Sequence, residues 1–495
     1  MSLPISVAKR AAPIVAALLL LAALAATARA HRSGSPPAVS SPGDQPVAVS
    51  INARRPRPAI PSNFIGLSFE DKSIPTLGAL GASGNLVALL RGLGAGVLRL
   101  GGVTADTQVA WLGLDPLMPP WAALGLTEAD FGPLAALSQN TGWPVLLTLN
   151  MGHFDPQSAA NEATAAESVL GSHLLAVSLG NEPDAFPLDG LRPQPWGFPQ
   201  YELDTDAYRA VMPSNVPLAG PDVASGFSRL SWVEQESAIE HPVLLTDHFY
   251  PLSWCHGFLP TAQDLFTTSM HRLERTTLAD DSGITTSYDV PLRIDETNNI
   301  SCGGEPGVSD TFASALWAAD FLIRAMGTAI AGVNFHDIPT TPNGYSPIIA
   351  ATPAALAAGQ LTAQPEYYAL LMASKLEGDR PLAVSLRPGN LNVQVFAGRS
   401  ARGREHVVIV DEQSASSRPL ALRLPVPAHT AGATITRLVG PSPTATGGVT
   451  LGGAAVTPAG TWAAASPLPR APIAHGQATV VVPPDSAALV TLYSP

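Results

Sequence analysis

From residue 64 to residue 337 the chain repeats one theme eight times: a short apolar run closing on polar or glycine residues, then a longer stretch rich in Ala and Leu. The runs are FIGLSFE (64–70), GVLRLGG (96–102), PVLLTLN (144–150), LLAVSLGNE (174–182), VPLAGPDV (216–223), LLTDHFY (244–250), PLRIDET (291–297) and GVNFHD (332–337). Short strands alternating with helix-length segments build a parallel sheet, and eight such strands close into a barrel. An open doubly wound sheet is the competing arrangement. It would place a glycine-rich phosphate loop after its first strand, and FEDKSIPT (69–76) is no such loop. The predicted fold class is α/β, a (β/α)8 TIM barrel over 61–375.

Beyond about residue 376 the pattern changes. LNVQVFAGR, EHVVIVDEQ, LALRLPV, ATITRLVG, ATVVVPP and AALVTLY alternate apolar and polar residues, with Gly, Pro and Ser between them. That alternation marks an antiparallel β-sandwich, assigned to 376–495. PVAVSIN (46–52) has the same style, so 46–60 is read as an N-terminal strand joining the sandwich. A length of 495 residues exceeds one ordinary compact core and fits two domains.

The first thirty residues read as a signal peptide. Lys9 and Arg10 precede the apolar run AAPIVAALLLLAALAA, and Ala28-Arg29-Ala30 is an A-x-A cleavage site. The alternative is a membrane anchor, but the run is short of the roughly 20 residues of a spanning helix and contains a proline. Residues 31–45, rich in Pro, Ser and Gly, read as a linker. The expected location is secreted or extracytoplasmic, with no membrane association after cleavage. Net charge is −12, from 27 basic and 39 acidic residues, and there is no basic block. Nucleic acid and anionic membranes are therefore poor partners.

In a barrel, alternate residues point inward, and chemistry gathers at the carboxyl ends of the strands. Counting even positions inward puts Glu70 at the tip of the first strand, Asn150 at the third, Glu182 at the fourth and Glu296 at the seventh. Asp295, of opposite parity, is expected to face the helices. Asn181 can still reach the site if the strand end bulges. Two carboxylates converging from different strands are what glycosidic cleavage requires: one protonated to donate to the leaving oxygen, one ionised to attack the anomeric carbon. The bland alternative is a pair of rim salt bridges.

SLGNEPD, LRIDETN with the following GGEPGVSDTFASALWAADFL, FIGLSFE and LRLGG together resemble glycoside hydrolase family 79. This family holds β-glucuronidases and heparanase-like endo-glucuronidases, and the resemblance covers nearly the whole mature chain. It implies Glu182 as general acid/base and Glu296 as nucleophile in a retaining double displacement. It implies a substrate-binding role for Tyr345 of NGYSP at the uronic carboxylate, and places Tyr250 beside the nucleophile. Glu70, Asn150 and Asn181 become candidate partners of sugar hydroxyls. One departure stands out: the loop NNISCGG after Glu296 carries no tyrosine, where family members often use one to contact the uronic carboxylate. Backbone amides of Cys302, Gly303 and Gly304 could bind an anion there as a nest. The function expected is an exported β-glucuronidase acting on a glucuronic-acid-containing saccharide or glycoside, with no cofactor. Two alternatives stand beside it: a retaining β-glycosidase for a neutral sugar such as glucose or xylose, and an inactive sugar-binding barrel.

Cys255 and Cys302 are the two cysteines. Each lies five residues past the end of a neighbouring strand, the sixth and the seventh. Adjacent strands run about 4.8 Å apart, close enough for a disulfide. Free thiols are the alternative. His153, Asp155, His248, His336 and Asp337 are scattered and lack metal-site spacing, so no metal is expected.

Overall fold

The computed structural model describes residues 46–52, 57–113, 117–226, 229–239, 242–255, 257–340, 344–386, 391–414 and 416–494. The signal peptide (1–30) and linker (31–45) read from the sequence lie outside the described residues.

The eight barrel strands are Ile65–Glu70, Val97–Gly101, Val145–Leu149, Leu174–Leu179, Ala219–Val223, Leu244–Phe249, Leu292–Thr297 and Gly332–His336. They are numbered first to eighth below. Each pairs in parallel with its neighbour in sequence, and the eighth pairs with the first. The ring closes between fourth and fifth through a parallel bridge from Val177 to Leu218, with Val177 N donating to Pro217 O at 2.9 Å.

The barrel interior is graded from apolar to polar. At the amino ends, Val97, Leu146, Ala176, Ala219 and Leu244 form a small apolar plug of their own. Beside it, Asn334 reaches from the eighth strand to the first and second. Its Nδ2 donates to the carbonyls of Leu67 and Val97, and its Oδ1 accepts from Arg293 Nε. Gly66 makes this possible: a Cβ there would stand 2.6 Å from the Asn334 amide. Near the carboxyl ends, the inward side chains are hydroxyls, carboxylates, imidazoles and a guanidinium. Apolar faces on the opposite side of each strand pack on the helices in one continuous core.

The seventh strand departs from the parity read off the sequence. Its register shifts between Ile294 and Glu296 against the sixth strand, and between Ile294 and Thr297 against the eighth. Arg293 and Asp295 face the lumen, while Leu292 and Ile294 join the helix-side core. Asp295 is therefore interior, correcting its expected position against the helices. The bulge supplies one extra residue, which brings Glu296 to the mouth as well.

The sandwich has two sheets. One is ordered Arg380–Pro381, Val393–Arg399, Glu405–Asp411, Ser486–Tyr493, Gly432–Val439 and Thr450–Leu451. The other includes Val47–Asn52, antiparallel to Ala383–Leu386 and parallel to Leu420–Pro425. That second pairing makes the sandwich mixed rather than purely antiparallel. Val49, Val395, Ile409, Leu422, Val480 and Val490 fill the space between the sheets. The helix Phe312–Ala325 is apolar around nearly its whole circumference and buried at almost every position. Such a helix needs neighbours on all sides. It shares one core with the barrel and with Phe396, Val408, Val410 and Leu489 of the sandwich. Among the described residues, no single helix is long and apolar enough to cross a membrane.

Candidate active site

Polar side chains from all eight strand ends converge at the carboxyl mouth. The central cation is Arg99 on the second strand, fully buried. Its Nη1 donates to Glu296 Oε2 at 2.5 Å, and its Nη2 donates to Asn181 Oδ1 at 2.7 Å. Asp222 lies 3.3 Å from Nη2 and Asp295 3.5 Å from Nε. Asp222 also accepts from Ser178 Oγ at 2.7 Å and from Thr148 Oγ1 at 3.2 Å, so its charge is shared through hydrogen bonds. A buried charge is tolerated only when paired in this way.

Glu296 accepts from Tyr250 Oη at 2.8 Å on Oε1, and His336 Nδ1 stands 3.6 Å from Oε2. Burial pushes this carboxyl up, but His336, His248, Arg99 and the Tyr250 hydroxyl together outweigh it and hold Glu296 well below the usual carboxylate range. Asp295 behaves in the opposite sense. Burial and the nearby Asp222 push it well above the ordinary value, against Arg99 and His248.

Glu182 follows the fourth strand in the left-handed region, φ 50° and ψ 53°. A non-glycine residue there is strained and must be held by its surroundings. Glu182 N donates to Asp222 O at 2.8 Å, and Asn181 N to Asp106 Oδ2 at 2.6 Å. Asp106 also accepts from Met151 N and Gly152 N, so one buried carboxylate fixes the loops after the third and fourth strands. Burial pushes Asp106 up to about 6, against those three backbone bonds. The Glu182 side chain meets His248 Nδ1 at 2.9 Å. Burial disfavours a charged His248, but Glu296, the bond to Glu182, and Asp295 raise it to about 10 despite Arg99. His248 Nδ1 is thus placed to donate to Glu182, while its Nε2 lies 3.3 Å from Arg99 Nη2.

One oxygen of Glu182, one nitrogen of His248 and one oxygen of Glu296 lie within 4.8 Å of one another. Asp222, His248 and Asp295 form a second such group. Both groups have the donor types of a metal site, but the Arg99 guanidinium already supplies positive charge to Asp222, Asp295 and Glu296.

The other residues read from the sequence fall as follows. Glu70 accepts from Thr104 N and Thr104 Oγ1 and lies 3.6 Å from His336 Nε2. Gly102 leaves room for it, since a Cβ there would stand 2.6 Å from the carboxyl carbon. Asn150 also builds the loop: its Nδ2 donates to Val109 O and its Oδ1 accepts from His153 N. Tyr345 is buried, with its ring 5.9 Å from that of Tyr250 and 5.6 Å from that of His336. Gly303 hydrogen-bonds the Tyr345 side chain through its backbone. Cys302, Gly303 and Gly304 all have positive φ, 62°, 91° and 81°. A nest alternates the hand of successive residues. These three residues share one hand, and the Gly303 backbone is engaged by Tyr345.

Cys255 and Cys302 form a disulfide with Cα atoms 5.7 Å apart. The sixth and seventh strands continue beyond the barrel as a short parallel ladder, Leu252–Ser253 against Ile300–Ser301, which delivers the two cysteines side by side. Trp254 Nε1 donates to Cys302 O at 2.6 Å over the same link.

Arg99, Asp106, Asp222, Asp295, His248 and His336 escaped the sequence reading as site residues. Arg99 carried a usable signal, because a lone arginine inside a fully apolar strand must have partners.

No protein-family model and no curated protein matches the chain. Solved structures do resemble it. A 4-O-α-L-rhamnosyl-β-D-glucuronidase from Fusarium oxysporum 12S, solved in a Rha-GlcA complex, aligns with TM-score 0.72 at 17% identity, covering 90% of this chain and 100% of that one. A GH51 arabinofuranosidase from Xanthomonas axonopodis pv. citri gives 0.61 at 14% identity, with coverage of 90% and 100%. A GH30 endoxylanase from Clostridium papyrosolvens C71 gives 0.54 at 13%, again covering 90% and 100%. At such identities the likeness is one of fold: this chain has the (β/α)8 barrel with appended β-sandwich that these glycoside hydrolases share.

Proposed function

We propose that the chain is a retaining β-glycosidase related to glycoside hydrolase family 79, exported, and acting on terminal β-linked glucuronic acid. The observation that carries the reading is the carboxylate pair at the barrel mouth. Oxygens of Glu182 and Glu296 approach within 4.8 Å. Retaining enzymes hold their carboxyls about 5–5.5 Å apart, and inverting enzymes about 6.5–9.5 Å, to admit a water.

The environments of the two groups assign their roles. Glu296 has 10% of its side chain exposed and is kept ionised by Arg99, His248, His336 and Tyr250. It is the nucleophile: its oxygen bonds the anomeric carbon as the aglycone oxygen leaves. Glu182, 29% exposed, can exchange protons with solvent. It gives its proton to the leaving oxygen, then takes one from the water that cleaves the glycosyl ester. The acid/base must be reprotonated every cycle, whereas the nucleophile gains from being sheltered from water. With Asn181 Oδ1 held by Arg99, its amide NH2 is the group available to a sugar hydroxyl.

Glucuronate is supported by the Fusarium neighbour, described in complex with a glucuronic-acid disaccharide, and by Tyr345 standing beside Tyr250. A neutral sugar is favoured by the loop after Glu296, which has no tyrosine. Export rests on the signal sequence and gains support from the disulfide, since such bonds persist in oxidising compartments. The test is turnover of aryl β-glucuronide beside aryl β-glucoside and aryl β-xyloside. Preference for the glucuronide supports the reading. Preference for a neutral glycoside overturns the specificity, and no turnover of any β-glycoside leaves the inactive sugar-binding barrel.

A further inference from the structure

Outside the barrel lumen, a second buried group of ionisable side chains joins the barrel helices to the sandwich. His271 and Glu274 lie three residues apart on the helix Thr268–Tyr288, and so share one face. Asp320 comes from the helix Phe312–Ala325, and Glu412 directly follows the sandwich strand Glu405–Asp411. Their exposures are 6%, 0%, 1% and 7%, so each lies within the protein. Ligating atoms of His271, Glu274 and Asp320 all fall within 4.8 Å of one another. His271 Nε2 is 3.0 Å from Glu412 Oε2 and 3.6 Å from Asp320 Oδ2.

What distinguishes this group from an ordinary ion-pair network is the pattern of unused atoms. Glu274 Oε1 accepts from Trp317 Nε1 at 2.8 Å, and Asp320 Oδ2 accepts from Arg324 Nε at 2.6 Å. The second oxygen of each, Glu274 Oε2 and Asp320 Oδ1, is buried without a hydrogen bond, as are Glu412 Oε1 and His271 Nε2. The His271–Glu412 contact, though short, lacks hydrogen-bond geometry. Three carboxylates face one guanidinium, Arg324, which lies 3.8 Å from Glu274 Oε2. An imidazole nitrogen among buried carboxyl oxygens without hydrogen-bond partners is an arrangement that a cation between them satisfies. Trp317 and Arg324 then play the part of outer partners that orient metal-bound carboxylates.

We propose that His271, Glu274, Asp320 and Glu412 form a structural divalent-cation site, with zinc the ion its donors suit best. His271, Glu274 and Asp320 supply three ligands and Glu412, 3.0 Å from His271 Nε2, the fourth; carboxylates alone would suit magnesium or calcium, and the imidazole tips the set toward zinc. The ion would tie two barrel helices to the sandwich. The His-x-x-Glu spacing was present in the sequence, but its other two ligands come from distant segments that only the fold assembles.

The test is zinc uptake by the full mature chain after treatment with EDTA, followed by titration calorimetry with ZnCl2 and by thermal unfolding. Binding of about one Zn2+ per chain is expected. The midpoint of unfolding should rise by about 2 °C or more. His271→Gln and Glu412→Gln should each weaken uptake about tenfold or more. No saturable uptake, or unchanged uptake in both variants, overturns the site. If the variants do not fold, X-ray absorption at the zinc edge of the wild-type protein reads the ligands directly. A first shell of about four N/O scatterers with the outer-shell signature of one imidazole upholds the proposal, and a shell with sulfur or without imidazole overturns it. None of these readouts depends on glycosidase activity.

Discussion

The Arg99 guanidinium joins Glu296 to Asn181, donating to one through Nη1 at 2.5 Å and to the other through Nη2 at 2.7 Å. One cation from the second strand thereby fixes the tips of the seventh and the fourth. A lysine ammonium is a point charge and cannot serve both partners with that planar geometry. Arg99→Lys is expected to lower kcat about 100-fold, a loss comparable to removing one preorganised electrostatic contact. A steady-state assay on the preferred aryl glycoside checks it, and a kcat within about threefold of wild type would refute the bridging role.

Tyr250 Oη donates to Glu296 Oε1 at 2.8 Å. Hydrogen bonds to charged groups contribute about 1.5–3 kcal/mol, so Tyr250→Phe should reduce kcat/KM by about 10- to 100-fold if the bond persists in the transition state. The bond also helps depress Glu296. Its removal lets the nucleophile protonate at higher pH, and the acid limb of kcat/KM should move upward. A profile measured from acidic to neutral pH separates this from simple loss of packing, which leaves the limb where it was.

The strands were readable because each is a short apolar run with punctuation at both ends, and the paired glutamates were readable because N-E-P and D-E-T stand at the tips of two such runs. The polar layer beneath them was not. Arg99 and Asp222 occur singly inside apolar runs, and nothing local shows that they meet across a closed ring. The bulge in the seventh strand defeated the parity count: two consecutive acids, Asp295 and Glu296, both reach the interior, which an unbroken strand forbids. Asn150 shows another limit of the sequence. Its position at a strand end was read correctly, but its amide is used by the backbone of Val109 and His153.

His248 ties charge to stability. Its folded value, raised from 6.5 to about 10, means that its contribution is fully present below about 6.5 and is lost as pH climbs through about 10. The melting temperature should therefore decline between these limits, and His248→Gln should flatten that decline while lowering stability at neutral pH. Calorimetry across the interval tests it. A melting temperature that rises over the same range in the wild-type protein would contradict a charged His248.

The disulfide predicts how covalent structure bears on the sugar site. Cys255 and Cys302 are 47 residues apart in sequence, and their link spans the extensions of the strands that carry Tyr250 and Glu296. By chain entropy, closing a loop of that length stabilises the fold by about 4 kcal/mol. Denatured but unreduced protein should show no free thiol. Reduction, or the double variant Cys255→Ser/Cys302→Ser, should lower the melting temperature markedly. The loop that follows Cys302 reaches Tyr345 through the Gly303 backbone, whereas Glu296 is held by Arg99, His248 and Tyr250 within the barrel. Loosening the link should therefore weaken substrate positioning more than chemistry. KM should rise several-fold, with kcat changing by less than about threefold, as expected when binding common to ground and transition states is removed. Equal losses in kcat and kcat/KM, with KM unchanged, would instead show that the bridge supports the nucleophile itself.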